Sequence, residues 1–304
     1  MTEYRHPDIM FFRGDDGLRG VLWKRYSFTL PAEKTAVLGD YRTEEGAIIT
    51  CLSEKTTQNK INRLIMEGMA RLVSFNRRPT VFIDERIPLI GSNVFGIVDR
   101  GTNVIEVKPM TGCNQDCIYC SVDEGASSKK THDFIVDHTH LAAVFGEVSA
   151  IKTHPVEAHI GGQCEPTLYP KLAELIYLLD KIPNVADIVI DTNGQLLTPH
   201  YADTLITAGL TRVNLSLNHL DSEAARRIAG GPYNLEVVLK HARELAGRVK
   251  LIISPTIIPG HNEDQLEGLI RFAQSLDCPV GIQNFLPYPK GRNPAQGISM
   301  DRFF

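Results

Sequence analysis

No apolar stretch in the 304 residues reaches the roughly 18 to 20 needed for a membrane-spanning helix. The polar opening MTEYRHPD lacks the basic head and apolar core of a secretory leader, so the expected location is the cytoplasm, with no membrane partner. Neither sign of charge is in excess. With 32 basic and 36 acidic residues the net charge is -4, which gives no whole-molecule attraction for a polyanion. A disulfide framework is also missing. Of six cysteines, Cys113, Cys117 and Cys120 crowd into eight residues while Cys51, Cys164 and Cys278 stand apart, a distribution that fits a reduced protein with one metal-type cluster. The hydrophobic share, 43% of a chain this long, is enough to bury a sizeable core.

Residues 1–100 are expected to form a small N-terminal α/β domain. Strand-like runs at 47–51, 80–83 and 94–98 surround one helical stretch over 58–73, where Ile61, Leu64, Ile65, Met69 and Leu72 recur at helical spacing and predict a buried stripe. From residue 103 the pattern becomes strands alternating with helices, the mark of βαβ units and a parallel sheet. Six strands are expected at 103–108, 156–160, 187–191, 212–217, 250–254 and 280–284. Helices are expected near 139–151, 171–181, 200–208, 222–228, 235–246 and 263–275. Short, nearly continuous apolar runs such as IVI, NLSL and LIIS predict a sheet covered on both faces. Six units predict a partial (β/α)6 barrel over residues 101–304, with parallel strands. Few residues follow Gly291. With Ser299 as the N-cap of an unfinished helix and Phe303 and Phe304 at the end, the expectation is a truncated C-terminus whose continuation covers an open sheet edge.

The segment Lys108-Pro-Met-Thr-Gly-Cys113-Asn-Gln-Asp-Cys117-Ile-Tyr-Cys120 follows the first of these strands directly. Soft thiolates suit zinc and iron–sulfur centres. Three of them in eight residues can wrap one corner of a cluster and leave a metal open to chemistry. A zinc knot would need a fourth ligand, for which His132 and His138 are available. Three classes follow from the residues: an iron–sulfur enzyme, an iron–sulfur protein that only transfers electrons, and a zinc-stabilised binding module.

The second strand ends in Gly161-Gly162-Gln163-Cys164-Glu165-Pro166-Thr167, where glycines allow a ligand close to the backbone. The third ends in Asp191-Thr192-Asn193-Gly194 and the fourth reads Asn214-Leu-Ser216-Leu-Asn218, so both put short donors and acceptors at strand C-termini. A Pro-Gly turn, Pro259-Gly260, follows the fifth. His159 and His219 read as hydrogen-bonded core or rim residues. Lys290 and Arg292 after the sixth strand read as a solvated loop or a contact for substrate phosphate.

A CxxxCxxC loop with an aromatic before its last cysteine, at the head of a six-strand βα array, resembles the radical S-adenosylmethionine (radical SAM) superfamily over residues 103–291. The resemblance implies that Cys113, Cys117 and Cys120 carry a [4Fe-4S] cluster whose open iron chelates SAM. It implies an enzyme that cleaves SAM to methionine and a 5′-deoxyadenosyl radical, which takes hydrogen from a substrate. It places Tyr119 by the adenine, and Gly161, Gly162, Gln163, Cys164, Glu165 and Pro166 as a GGEP-type turn at the SAM amino group. Thr192, Asn193, Ser216 and Asn218 are placed at the ribose and carboxylate. An external electron donor of ferredoxin or flavodoxin type is implied, with an RNA or protein substrate by looser likeness. Cys164 departs from the motif, where glycine is usual; it reads as a fourth thiolate near the site, a hydrogen donor to a radical or, in preference, a small apolar filler.

Overall fold

The computed structural model describes residues 1–297, which gather into two compact units: residues 1–83 with 131–135, and residues 84–130 with 136 onward. The first unit holds two three-stranded antiparallel sheets. One orders Thr2–Tyr4, Ala47–Thr50 and Tyr41–Glu44, and the other centres Gly17–Leu22 between Ile9–Gly14 and Tyr26–Pro31. Sequence pattern found only Ala47–Thr50 among these strands, because runs such as IMFFRG and GLRGVL draw their strand preference from cross-strand partners. The helix Glu54–Met69 buries Ile61 and Leu64 and half-buries Ile65 and Met69, as the stripe predicts. The returning segment is tied in by Asp133, which pairs with Arg78 at 3.0 Å and accepts from the Ser74 hydroxyl at 2.6 Å.

The second unit carries the main sheet. Its strands are β1 (Gly96–Asp99), β2 (Val104–Lys108), β3 (Val156–Ile160), β4 (Val185–Thr192), β5 (Arg212–Leu215) and β6 (Lys250–Ile253), in spatial order β6-β5-β4-β3-β2-β1. Neighbours from β2 to β6 are parallel, and β1 alone runs antiparallel. The mixed α/β architecture with a mostly parallel sheet is the one expected. Two details differ. The run at 94–98, read as part of the N-terminal domain, supplies the antiparallel edge strand of this sheet. The expected sixth parallel strand at 280–284 is reduced to a bridge between Val280 and Ile253 and a two-residue pairing of Gln283–Asn284 with Thr256–Ile257. Pro279 precedes that bridge and has no N–H to give a ladder. Ser299, Phe303 and Phe304 lie outside the described residues.

Helices α1 (His138–Ala150), α2 (Leu172–Asp180), α3 (Pro199–Ala208), α4 (Ser222–Ala229), α5 (Leu235–Leu245) and α6 (Leu266–Ser275) alternate with the strands, α4 and α5 sharing one crossover. Their boundaries have local causes. Asp137, Thr198, Asp221 and Asn234 accept hydrogen bonds from first-turn N–H groups of α1, α3, α4 and α5.

The sheet is two-faced. Register puts Ile105, Ala158, Ile188, Val213 and Leu251 on one face, where each is almost fully buried. Burial of each such branched side chain contributes about 1.5–3 kcal/mol. The opposite face corrects the expectation of strands apolar on both sides, because it carries Glu106, Lys108, Glu157, His159, Asp191, Arg212 and Asn214. These residues neutralise one another. Arg212 meets Glu157 at 2.6 Å, the His159 ring bridges Glu157 at 2.9 Å and Asp191 at 2.8 Å, and the Asn214 amide donates to Asp191 at 2.8 Å. Burial lowers the affinity of His159 for a proton, yet the two carboxylates outweigh it and raise the imidazole to about 10.

Candidate active site

Loops beyond the C-terminal ends of the parallel strands enclose a cavity of about 360 Å³. Cys113, Cys117, Tyr119 and Cys120 line it from the loop after β2, and Gly162, Cys164 and Glu165 from the turn after β3. Thr192 and Asn193 enter at the end of β4, and Ser216 and Asn218 follow β5. Three residues expected there, Gly161, Gln163 and Pro166, do not line it. Gln163 is buried and donates to Glu124, which also holds Lys130.

The cysteine loop is fastened by backbone. The Cys113 N–H reaches the Glu124 carbonyl at 3.1 Å, while Asp116 and Ile118 donate at 2.9 and 3.0 Å to the carbonyls of Ala229 and Ile228 at the end of α4. Gly230 closes that helix in the left-handed region, at φ 66°, and a Cβ there would stand 1.9 Å from the Asp116 carbonyl oxygen. Gly230→Ala is therefore expected to destabilise the fold by about 1–3 kcal/mol and to lower metal content per chain. Thermal melts and metal analysis on the same preparation check it.

Burial, then the charges of Glu165 and the other two thiols, push Cys113 well above its ordinary range. Burial and Cys120 push Cys117 up to about 12, against the opposing pull of Tyr119 and Arg292. With Cys113 and Cys117 raised in this way, a cation beside them is needed to hold their thiolates. Backbone N–H groups already aim at sulfur, from Gln115 to Cys113 at 3.4 Å and from Asp123 to Cys120 at 3.2 Å, the kind of bond that tunes iron–sulfur centres.

Across the cavity Glu165 is buried and fully engaged. One oxygen accepts from the Thr167 N–H and hydroxyl at 3.1 and 2.6 Å and from the Thr192 hydroxyl at 2.6 Å. The other accepts from the Asn193 N–H at 2.8 Å. Burial raises this carboxyl above the usual range while these donors favour its charged form. One side chain thus ties the turn after β3 to the end of β4. The Asn193 amide then donates to Asn114 at 2.8 Å, linking β4 to the cysteine loop.

Tyr119 lies in an apolar setting of Ile228, Ile258 and Phe285, and its hydroxyl accepts from Asn218 at 2.7 Å. The Asn218 oxygen in turn accepts from the Thr256 N–H at 2.8 Å. Cys164 lines the cavity, and the charges weighing most on its thiol are Glu165 and Glu124. Burial, ahead of those charges, pushes the thiol well above its ordinary range. Cys164→Gly is expected to change SAM affinity by no more than about 1 kcal/mol, roughly fivefold, and to keep metal content, by equilibrium binding and metal analysis.

Sequence pattern missed several wall residues. Gln115 lies inside the cysteine loop yet was not singled out, Glu124 and Tyr233 line the cavity without any local motif, and Asn284, Phe285 and Tyr288 come from the stretch after β6. Asp191 and His219 also line it, the latter with its imidazole pushed down by burial.

Residues 107–273, more than half of the chain, match the family model described as the Radical SAM superfamily. An uncharacterized protein of Methanocaldococcus jannaschii is 34% identical over 258 residues, covering 79% of this chain and 59% of that one. The GTP 3′,8-cyclase of Clostridium botulinum is 29% identical over 194 residues, covering 64% and 59%. The chain thus spans about 59% of the length of these curated relatives. Streptococcus suis SuiB shares the fold with a TM-score of 0.53 at 14% identity, over 98% of this chain and 66% of that one. Methylornithine synthase does so with a TM-score of 0.52 at 15% identity, over 70% and 60%.

Proposed function

This chain belongs to the radical SAM superfamily, whose members are enzymes that bind a [4Fe-4S] cluster and SAM, and on that premise we propose that Cys113, Cys117 and Cys120 are its cluster ligands. The observation that carries the reading is the convergence of three partly buried thiols on the wall of this one cavity, with N–H donors aimed at two of the sulfurs. When bound and reduced by an external donor, the cluster supplies the electron that splits SAM into methionine and a 5′-deoxyadenosyl radical.

The protein's share is placement and exclusion of water. Gly162, at φ 76°, turns the backbone after β3 toward the cavity in a conformation that a side chain would strain. Glu165 fixes that turn against Thr192 and Asn193, so the polar ends of β3 and β4 form one rigid cradle for the amino acid part of SAM. Ser216 and Asn218 offer the ribose its hydrogen-bonding partners. Ile228 and Phe285, with Ile258 in the same buried cluster, make the dry wall that keeps water from a radical. Thr256, Asn284 and Tyr288 face the remaining side, where substrate enters.

Anaerobic reconstitution followed by iron, sulfide and zinc analysis, then assay for 5′-deoxyadenosine with dithionite and SAM, tests the proposal. GTP belongs among the first substrates tried, since relatives are named for acting on it; RNA and protein follow. The expected result is a [4Fe-4S] content and SAM turnover. Zinc without iron would make the chain a binding module. A cluster that never cleaves SAM would make it an electron carrier.

A further inference from the structure

We infer that Arg292 is a positioning residue for the cysteine loop, gripping the carboxylates on either side of Cys117 and Cys120 and setting a positive charge that eases reduction of the cluster. The inference rests on the assignment of Cys113, Cys117 and Cys120 as cluster ligands.

By sequence Arg292 reads as a solvated cation or a phosphate contact. Instead its guanidinium is committed within the protein, across some of the longest sequence separations in the fold. Nε donates to Asp123 Oδ1 at 2.6 Å, Nη1 to the Asp116 carbonyl at 2.7 Å, and Nη2 to Asp116 Oδ1 and Ser127 Oγ, each at 2.7 Å. Its own N–H donates to the Cys120 carbonyl at 2.8 Å. Asp116 lies between the first two cysteines and Asp123 just after the third, so one planar fork spans Cys117 and Cys120 from outside.

The backbone is shaped for this grip. Gly291 packs so closely that a Cβ would lie 2.8 Å from the Ser121 backbone. Asn293 closes the turn beneath, donating to the Tyr288 carbonyl at 2.8 Å and accepting from the Tyr288 N–H at 3.0 Å. Tyr288, together with Asn284 and Phe285, also lines the cavity, so the latch and the substrate side of the wall belong to one segment.

The electrostatic consequence has a definite sign. Reduction adds an electron to a centre already surrounded by three thiolates, and Arg292 offsets two further carboxylates beside it. Without the guanidinium, Asp116 and Asp123 face the cluster uncompensated, and the reduced form loses favour.

The test is a redox titration of reconstituted protein, followed by electron paramagnetic resonance, with iron content and circular dichroism on each sample. In Arg292→Gln we expect native secondary structure and a reduced-to-oxidised ratio at fixed potential at least tenfold lower, which is 59 mV for a one-electron couple. Arg292→Lys restores the charge without the fork and is expected to recover more than half of that shift. Lys290→Gln, at an exposed cation two residues away, is expected to leave the potential unchanged. A wild-type potential in Arg292→Gln, an unfolded Arg292→Gln, or an Arg292→Lys as hard to reduce as Arg292→Gln each overturns the inference. A folded Arg292→Gln that loses iron, with iron and potential recovered in Arg292→Lys, supports it. Wild-type protein that takes up no cluster would instead sink the ligand assignment beneath it.

Discussion

Cys117→Ala is expected to give a folded chain without the brown absorbance of a [4Fe-4S] cluster and without detectable 5′-deoxyadenosine, whereas Cys51→Ala and Cys278→Ala keep both. The cause is the number of soft donors at the cavity wall. Three thiols meet there, and loss of one leaves two corners of a cluster with protein ligands. The fold does not depend on the missing sulfur, because Ile118 and Asp116 still hang the loop on the end of α4 through backbone bonds. Cys51 is exposed in the first unit, and the Cys278 thiol donates to the nearby Leu276 carbonyl at 3.2 Å, away from the cavity lining. Iron analysis and absorbance after parallel reconstitution decide the matter. A cluster retained in Cys117→Ala and lost in Cys51→Ala would reverse the assignment.

The polar face of the sheet predicts a second large effect, visible in stability against pH. His159 carries its proton up to about 10 in the folded chain, against an ordinary value of 6.5. A group whose pKa rises on folding stabilises fully below its unfolded value, and that contribution is lost as pH climbs through the folded value. The window is therefore about pH 6.5 to 10, and the total is on the order of 5 kcal/mol, at about 1.4 kcal/mol per pH unit. His159→Gln leaves Glu157 and Asp191 short of a cation, which costs about 3–5 kcal/mol for a buried network at neutral pH. Cysteine ionisation in the unfolded chain also erodes stability in this range, so the useful quantity is the difference between wild type and variant. Urea melts at pH 6, 8 and 10 are expected to show that difference shrinking toward zero. A difference that holds constant across the three would remove His159 as its source. Since Asp191 lines the cavity, the same titration reaches the site.

Much of this was local in sequence. CxxxCxxC puts three thiols within eight residues, so their convergence on one cavity needed only a loop. GGQCEP and DTNG each announced a turn at a strand end, because glycine and short polar side chains act over a few residues. Helices α1 to α6 were legible because periodicity and N-caps such as Asp221 and Asn234 are written in neighbouring positions.

Other features exist only through contact between distant residues. Glu165 reads as part of a SAM motif, yet its carboxylate is spent on Thr167, Thr192 and Asn193, a role that needs β3 and β4 side by side in register. His159 reads as a polar residue in an apolar strand, and only pairing with β4 brings Asp191 to it. The run at 94–98 reads as a strand, but its place as the antiparallel edge of the main sheet comes from hydrogen bonds to β2. Arg292 is the extreme case, because its partners Asp116 and Asp123 lie some 170 residues earlier. Which residues carry soft ligands and where the chain turns can be read from neighbouring positions, since those depend on local chemistry. The tertiary structure decided which charges face each other, because Coulomb forces and hydrogen bonds depend on distance in space and leave no mark on spacing along the chain.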